Sequence, residues 1–89
     1  MTEERLIQIN GILNGIREIE ENIERIKNII KVIDNTEDYN VLINAYYHNR
    51  IEVCLPVISF KLDFLEMLKT AQDKLIMQKK DLRKMFDSL

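Results

Sequence analysis

The stretch that decides the fold is residues 9–33, INGILNGIREIEENIERIKNIIKVI. Eight isoleucines in this stretch (the Ile seam) are spaced alternately three and four residues apart: Ile9, Ile12, Ile16, Ile19, Ile23, Ile26, Ile30 and Ile33. An average spacing of about 3.5 residues is the repeat of a coiled coil, whose a and d positions face a partner helix. The stretch therefore predicts a long helix with its Ile seam buried against other helices.

The Ile seam also carries information about the number of helices. Isoleucine at both a and d favours three or four helices over two. Four apolar residues flank the seam and widen the apolar face: Leu6, Leu13, Ile29 and Val32. Because such a face is wider than one partner helix covers, the sequence predicts a homo-oligomer of more than two chains, with the Ile seam as its contact surface.

The first helix is predicted over residues 2–34, with Thr2 as its N-cap. Gly11 and Gly15 each follow an asparagine within it, and a glycine inside a helix costs about 1 kcal/mol relative to alanine. Three interpretations are open. The glycines are weak points in a continuous helix, or they allow close approach of another backbone, or they break the helix and free a short N-terminal arm.

Residues 39–55 form the predicted hairpin region. The segment 51–55, IEVCL, is rich in β-branched residues and ends at Pro56, which predicts a strand. The segment 41–47, VLINAYY, predicts a second strand, with residues 48–50 as the turn. A short helix over residues 38–47 is the alternative.

The second helix is predicted over residues 56–88, with Pro56 in its first turn. Its heptad positions are Phe64, Leu68, Ala71, Leu75, Gln78, Leu82, Met85 and Leu89. Gln78 is the polar residue of this set and is predicted to fix the helix register. The predicted fold class is mainly α. Residues 1–89 form a single domain of two long antiparallel coiled-coil-like helices, joined by a short β-hairpin or short helix and assembling as an oligomeric helical bundle.

Composition narrows the class of protein. The chain has 89 residues and a net charge of -2, so general affinity for double-stranded nucleic acid or for anionic membranes is not expected. No apolar run approaches the roughly 20 residues that span a bilayer, and the N-terminus has no signal-peptide pattern. The single cysteine, Cys54, suits a reducing compartment. We expect a cytoplasmic protein, in the host cytoplasm if it is encoded by a phage.

Catalytic patterns are missing from the sequence. It has one histidine and one cysteine, no glycine-rich phosphate loop and no metal-ligand motif. A cysteine in a strand is usually a small buried apolar residue. The sequence therefore predicts a protein that is not an enzyme, with no catalytic residues, cofactor or metal.

Two groups of residues are candidates for binding a ligand. The first surrounds the predicted turn: Tyr46, Tyr47, Asn49 and Arg50. Its aromatic rings could stack on a base, its amide could bond a base edge, and its guanidinium could hold a phosphate. The second group lies near the end of the second helix: Lys79, Lys80, Arg83 and Lys84. The alternatives are a polar hairpin tip and a solvated helix terminus.

The order helix, hairpin, helix with heptad seams resembles a small version of the beta-type prefoldin architecture. The chain also resembles small orphan proteins of phages, in which a coiled helix, a strand with a Leu-Pro step (here Val53-Cys54-Leu55-Pro56) and an amphipathic helix follow one another. Some proteins of that kind counter host immunity by binding an enzyme or by caging a nucleotide signal. This resemblance implies a homo-oligomer that sequesters a host immune protein or a small cyclic nucleotide. The prefoldin likeness implies the alternative, a structural or chaperone-like coiled-coil assembly subunit.

Overall fold

The computed structural model describes residues 2–35, 38–46 and 49–89. The elements follow in the order helix α1 (Glu3–Asn35), strand β1 (Asn40–Tyr46), strand β2 (Arg50–Pro56) and helix α2 (Val57–Asp87). The strands form an antiparallel hairpin, and the two helices pack against each other. The prediction of two long helices joined by a hairpin is confirmed. The alternative of a short helix over residues 38–47 is wrong, because most of that segment is strand.

Helix α1 begins at a capped terminus. The Arg5 N–H donates to Oγ1 of Thr2 at 3.3 Å, and the Leu6 N–H donates to the Thr2 carbonyl oxygen at 3.1 Å. These bonds satisfy N–H groups that have no partner inside the helix. The helix then continues through Gly11 and Gly15, neither of which has a positive φ. The interpretation of a break and a free N-terminal arm is therefore wrong.

The Ile seam is the face of α1 that packs against α2. All eight of its isoleucines are buried or half-buried, whereas every other residue of α1 except Gly15 is exposed. Ile33 and Ile16 are the most buried, with 2% and 7% of their surface exposed. The seam thus faces a helix as predicted, and that helix belongs to the same chain. A contact between chains through this seam stays a prediction.

The packed face of α2 keeps the predicted heptad positions from Phe64 to Leu75 and at Leu82, but not those at Gln78, Met85 and Leu89. Its buried and half-buried residues are Val57, Lys61, Phe64, Leu65, Leu68, Ala71, Gln72, Leu75, Lys79 and Leu82. After Leu75 the packed position shifts by one residue, so that Lys79 takes the place predicted for Gln78. A straight helix of about 3.6 residues per turn drifts in this direction from a 3.5-residue repeat. The role of Gln78 as a buried register residue is wrong.

The hairpin joins the helices without a loop on one side. Pro56 ends β2 and is also the N-cap of α2, one position before the first turn where it was predicted. The Val57 N–H donates to the Tyr39 carbonyl oxygen at 2.9 Å. The Lys61 ammonium donates to the Asp34 carbonyl oxygen at 3.3 Å, near the end of α1. These bonds fix the base of the hairpin to the ends of both helices.

The core is small and lies at this junction. Ile33, Val57, Phe64 and Leu65 form one buried cluster, against which Ile30, Val41, Leu55 and Leu68 pack. The rings of Phe60 and Phe64 are tilted at 50° with their centroids 6.2 Å apart. Phe60 has non-helical φ and ψ, so α2 is kinked just after its start. The hairpin therefore leaves the helices where they are most tightly packed.

The molecule is long and thin, with extents of 54 × 31 × 15 Å. Its radius of gyration is 17.3 Å, whereas a compact domain of this length would have about 12 Å. A helix as long as α1 already spans about 50 Å, so the hairpin must project sideways from the helix pair rather than extend it.

Candidate functional site: the two faces of the hairpin

The strand register sorts the hairpin side chains onto two faces, because directly paired residues of antiparallel strands lie on the same face. The apolar hairpin face consists of three pairs: Val41–Leu55, Ile43–Val53 and Ala45–Ile51. The polar hairpin face consists of four pairs: Asn40–Pro56, Leu42–Cys54, Asn44–Glu52 and Tyr46–Arg50. One face is thus entirely apolar, whereas the other is mixed.

Most of the apolar hairpin face is exposed. Val41 and Leu55, at its base, pack against the core of the helix pair. Toward the tip, Ile43, Val53 and Ile51 leave 43%, 47% and 64% of their surface exposed. Exposed apolar patches are uncommon on monomeric proteins and commonly mark interaction sites.

An apolar groove continues this face toward α1. Its lining residues are Asn28, Ile29, Val32, Ile33, Tyr39, Asn40, Val41 and Val57. Val41 belongs both to the groove and to the apolar hairpin face, so the two form one continuous surface. Ile29 and Val32 contribute side chains that are about half exposed.

The polar hairpin face holds two of the predicted ligand residues. The Arg50 guanidinium lies over the Tyr46 ring, 5.6 Å from its centroid. Arg50 also forms an ion pair with Glu52 on the same strand. The prediction that Tyr46 and Arg50 lie together is consistent with this geometry, but Glu52, which the sequence argument left out, already neutralises the guanidinium. Such exposed pairs are worth about 1 kcal/mol or less, so an anion could compete with Glu52.

Of the other two residues predicted at the turn, the structure describes Asn49 but not Tyr47. Asn49 is exposed in a bend just before β2. Tyr47 lies outside the described residues, as does His48, the only histidine of the chain.

The basic group lies in the distal half of α2. Lys79, Lys80, Arg83 and Lys84 line a shallow depression together with Ile76. Lys79 forms an ion pair with Glu20 of α1 at 3.2 Å. Among the residues that the structure describes, Lys80, Arg83 and Lys84 have no such carboxylate partner. Lys79 lies about 33 Å along α2 from the hairpin junction, so one chain does not bring the two predicted ligand groups together.

Three further features of the described residues concern metal ligands, the cysteine and membrane-spanning helices. Within residues 2–35, 38–46 and 49–89, no group of three histidine, cysteine or acidic side chains could hold a metal ion. Cys54 is a free thiol that is exposed on the polar hairpin face, so the expectation of a buried strand cysteine is wrong. Neither of the described helices is both long enough and apolar enough to cross a membrane.

The apolar hairpin face is the feature that sequence reasoning missed. Its signal is present in the sequence, since residues 41, 43 and 45 and residues 51, 53 and 55 are all apolar. Alternation identifies the strands, but the shared face depends on which residues pair. A shift of one residue in register would place the apolar residues of the two strands on opposite faces.

Comparison with known proteins gives no relative for this chain: no protein-family model, no curated protein and no solved structure matches it significantly. Evidence about its function therefore comes from its own surfaces.

Proposed function

We propose that this chain is a non-enzymatic subunit of a helical homo-oligomer that, once assembled, binds another protein. The observation that carries the proposal is the area that a single chain leaves uncovered. A compact chain of 10.6 kDa exposes about 5,470 Å² by the usual size scaling, whereas this chain exposes 7229 Å². The surplus of about 1,800 Å² is roughly twice the area that each partner buries in a standard protein interface.

The uncovered area includes apolar side chains beside the Ile seam. Leu13, Ile29 and Val32 leave 43–47% of their surface exposed on α1. The apolar stripe of a helix is normally buried against another element, and α2 leaves these flanking side chains half exposed. Further copies of the chain would cover them. This favours the assembly-subunit interpretation of the sequence.

Sedimentation equilibrium of the purified chain at micromolar concentration tests the proposal. We expect a particle of more than two chains, because the surplus exceeds what one standard interface removes. A folded monomer of 10.6 kDa at these concentrations would contradict it.

A second candidate function is the sequestration of a small cyclic nucleotide. The observation that favours it is the adjacency of Tyr46 and Arg50, together with the cations of Lys80, Arg83 and Lys84 that lack a carboxylate partner among the described residues. Because the two groups lie at opposite ends of one chain, a shared site needs two chains in antiparallel arrangement. Binding would then depend on assembly.

The narrower form of the proposal is a phage-encoded protein that counters host defence by sequestering an immune protein. Its support is the small size of the chain and the lack of catalytic motifs in its sequence. Expression of the chain in cells that carry a defence system tests it. We expect phage plating to recover in those cells, and no recovery with any defence system would contradict it.

A further inference from the structure

We infer that two copies of this chain join through their apolar hairpin faces, packed face to face. The inference rests on the assembly proposed above and names the surface and its occupant, which is the same face of a second copy. Such a contact is two-fold symmetric, because each copy contributes the same patch.

The chemistry of the hairpin selects this face over its opposite. Each of the three residue pairs on the apolar hairpin face consists of two apolar side chains. The polar hairpin face instead carries Arg50 and Glu52 in an ion pair and two asparagines. Burial of those groups would need new hydrogen-bond partners, whereas burial of the apolar face needs none.

The outer surfaces of the helices are weaker candidates for this contact. The exposed apolar residues of α2 are interspersed with charged ones, as at Ile76 beside Lys79, Lys80, Arg83 and Lys84. A second copy packed there would bury cations, which is costly unless each gains a carboxylate partner. The apolar hairpin face carries no charged residue.

The dimensions suit a sheet-on-sheet contact. Strands of seven residues are about 23 Å long, and two sheets pack about 10 Å apart through interdigitating side chains. At its base the face runs into the groove beside Ile29, Val32 and Tyr39. This extension enlarges the contact beyond the hairpin itself.

Area supports a second copy as the occupant. The surplus of about 1,800 Å² exceeds the roughly 800 Å² that each partner buries in a standard interface. One hairpin contact would therefore use part of the surplus and leave area for contacts of the helices in a larger assembly. An isolated two-stranded hairpin is also marginally stable in water, so pairing would stabilise it.

Adjacent residues on opposite faces give a matched test. Ile43→Glu places a charge on the apolar hairpin face, and Leu42→Glu places the same charge one residue earlier on the polar face. The two side chains have similar exposure, 43% and 52%. We expect Ile43→Glu to raise the dissociation constant of the contact about a hundredfold or more, because the charge is buried without a partner. Leu42→Glu should leave the molar mass unchanged.

The measured masses distinguish a failure of the hairpin contact from a failure of the proposed assembly. If both variants keep the mass of the unchanged oligomer, or if both lose it equally, the hairpin face is not the contact, while assembly itself stands. If the unchanged chain is already a monomer, the proposed function fails first. Helicity by circular dichroism should be retained in Ile43→Glu, because this residue lies outside the buried cluster.

Crosslinking of thiols provides a second measurement that does not depend on dissociation. Val53 lies on the apolar hairpin face and Cys54 on the polar one. Since two packed sheets lie about 10 Å apart, too far for a direct disulfide, a short bismaleimide is the probe. We expect Val53→Cys, combined with Cys54→Ser, to give a crosslinked dimer within the assembled oligomer. The unchanged chain, with its thiol at the next position, should give none. A linked dimer through Cys54 but not through position 53 would overturn the inference.

Discussion

A Cβ atom placed on Gly15 would lie 3.3 Å from Cδ1 of Leu82, whereas one placed on Gly11 would have no such neighbour within 4 Å. The two glycines are one helical turn apart on α1, but only Gly15 lies where the helices approach closely. At Gly11 the helices instead leave a gap, lined by Ile12, Leu82, Met85 and Leu89 among others. The sequence suggested close approach of a backbone, and the structure shows approach of a side chain.

The two glycines should consequently respond differently to substitution. We expect Gly11→Ala to raise the free energy of unfolding by about 0.5–1 kcal/mol, since alanine favours the helix and meets no obstacle. Gly15→Ala should gain less, because the Leu82 side chain must move by a few tenths of an ångström. Urea denaturation of both variants measures the difference. A larger gain for Gly15→Ala would show that the helices are further apart than described.

Burial along α1 predicts a second contrast. Ile33 and Ile29 are one turn apart, with 2% and 47% of their surface exposed. We expect Ile33→Ala to lower the free energy of unfolding by about 2–5 kcal/mol, because it leaves a cavity in the cluster at the hairpin junction. Ile29→Ala should cost less than about 1 kcal/mol in the dissociated chain, since half of that side chain is already in water. Equal losses in the free energy of unfolding for the two variants would show that the core does not lie at the hairpin junction.

We expect substitutions in the Ile seam to disrupt folding and assembly together, whereas substitutions on the apolar hairpin face should disrupt assembly alone. Ile19 and Ile23 are half-buried against α2, so replacing both with aspartate places two charges between the helices. We expect helicity and assembly to be lost together in this double variant. Glu18→Gln with Glu21→Gln, on exposed positions of the same helix, should change neither. Assembly lost while helicity is retained would instead assign the seam to a contact between chains.

The parts of the structure that could be predicted are those set by local periodicity. The alternating spacing of the isoleucines identified α1 and its packed face, and the β-branched residues before Pro56 identified β2. The parts that could not be predicted depend on how elements meet. The exposure of Gln78 depends on how the last turns of α2 meet α1, where Lys79 is packed instead. The pairing of Ile43 with Val53 depends on the hairpin register.

The candidate ligand residues show the same division. The sequence placed Tyr46 and Arg50 near one turn, and the register makes them cross-strand partners. It did not reveal Glu52 as the partner of Arg50, because that pairing depends on side chains two residues apart pointing the same way along a strand. The distance between this pair and the basic group on α2 follows from the length of the helix, which the sequence did indicate.

The Arg50–Glu52 ion pair should oppose nucleotide binding, because Glu52 competes with a phosphate for the guanidinium. A stacked base contributes about 1–3 kcal/mol, and a hydrogen bond to a charged group about 1.5–3 kcal/mol. If a cyclic nucleotide binds here, Tyr46→Ala and Arg50→Ala should each weaken binding about tenfold or more without changing the oligomer. Glu52→Gln should strengthen binding, because the guanidinium loses its competing carboxylate.

Calorimetric titration with cyclic mononucleotides and dinucleotides measures these changes in affinity. The control is Lys74→Ala, which removes a cation of α2 outside the basic group. Absence of heat from every nucleotide, with the oligomer intact, would leave protein binding or assembly alone as the function.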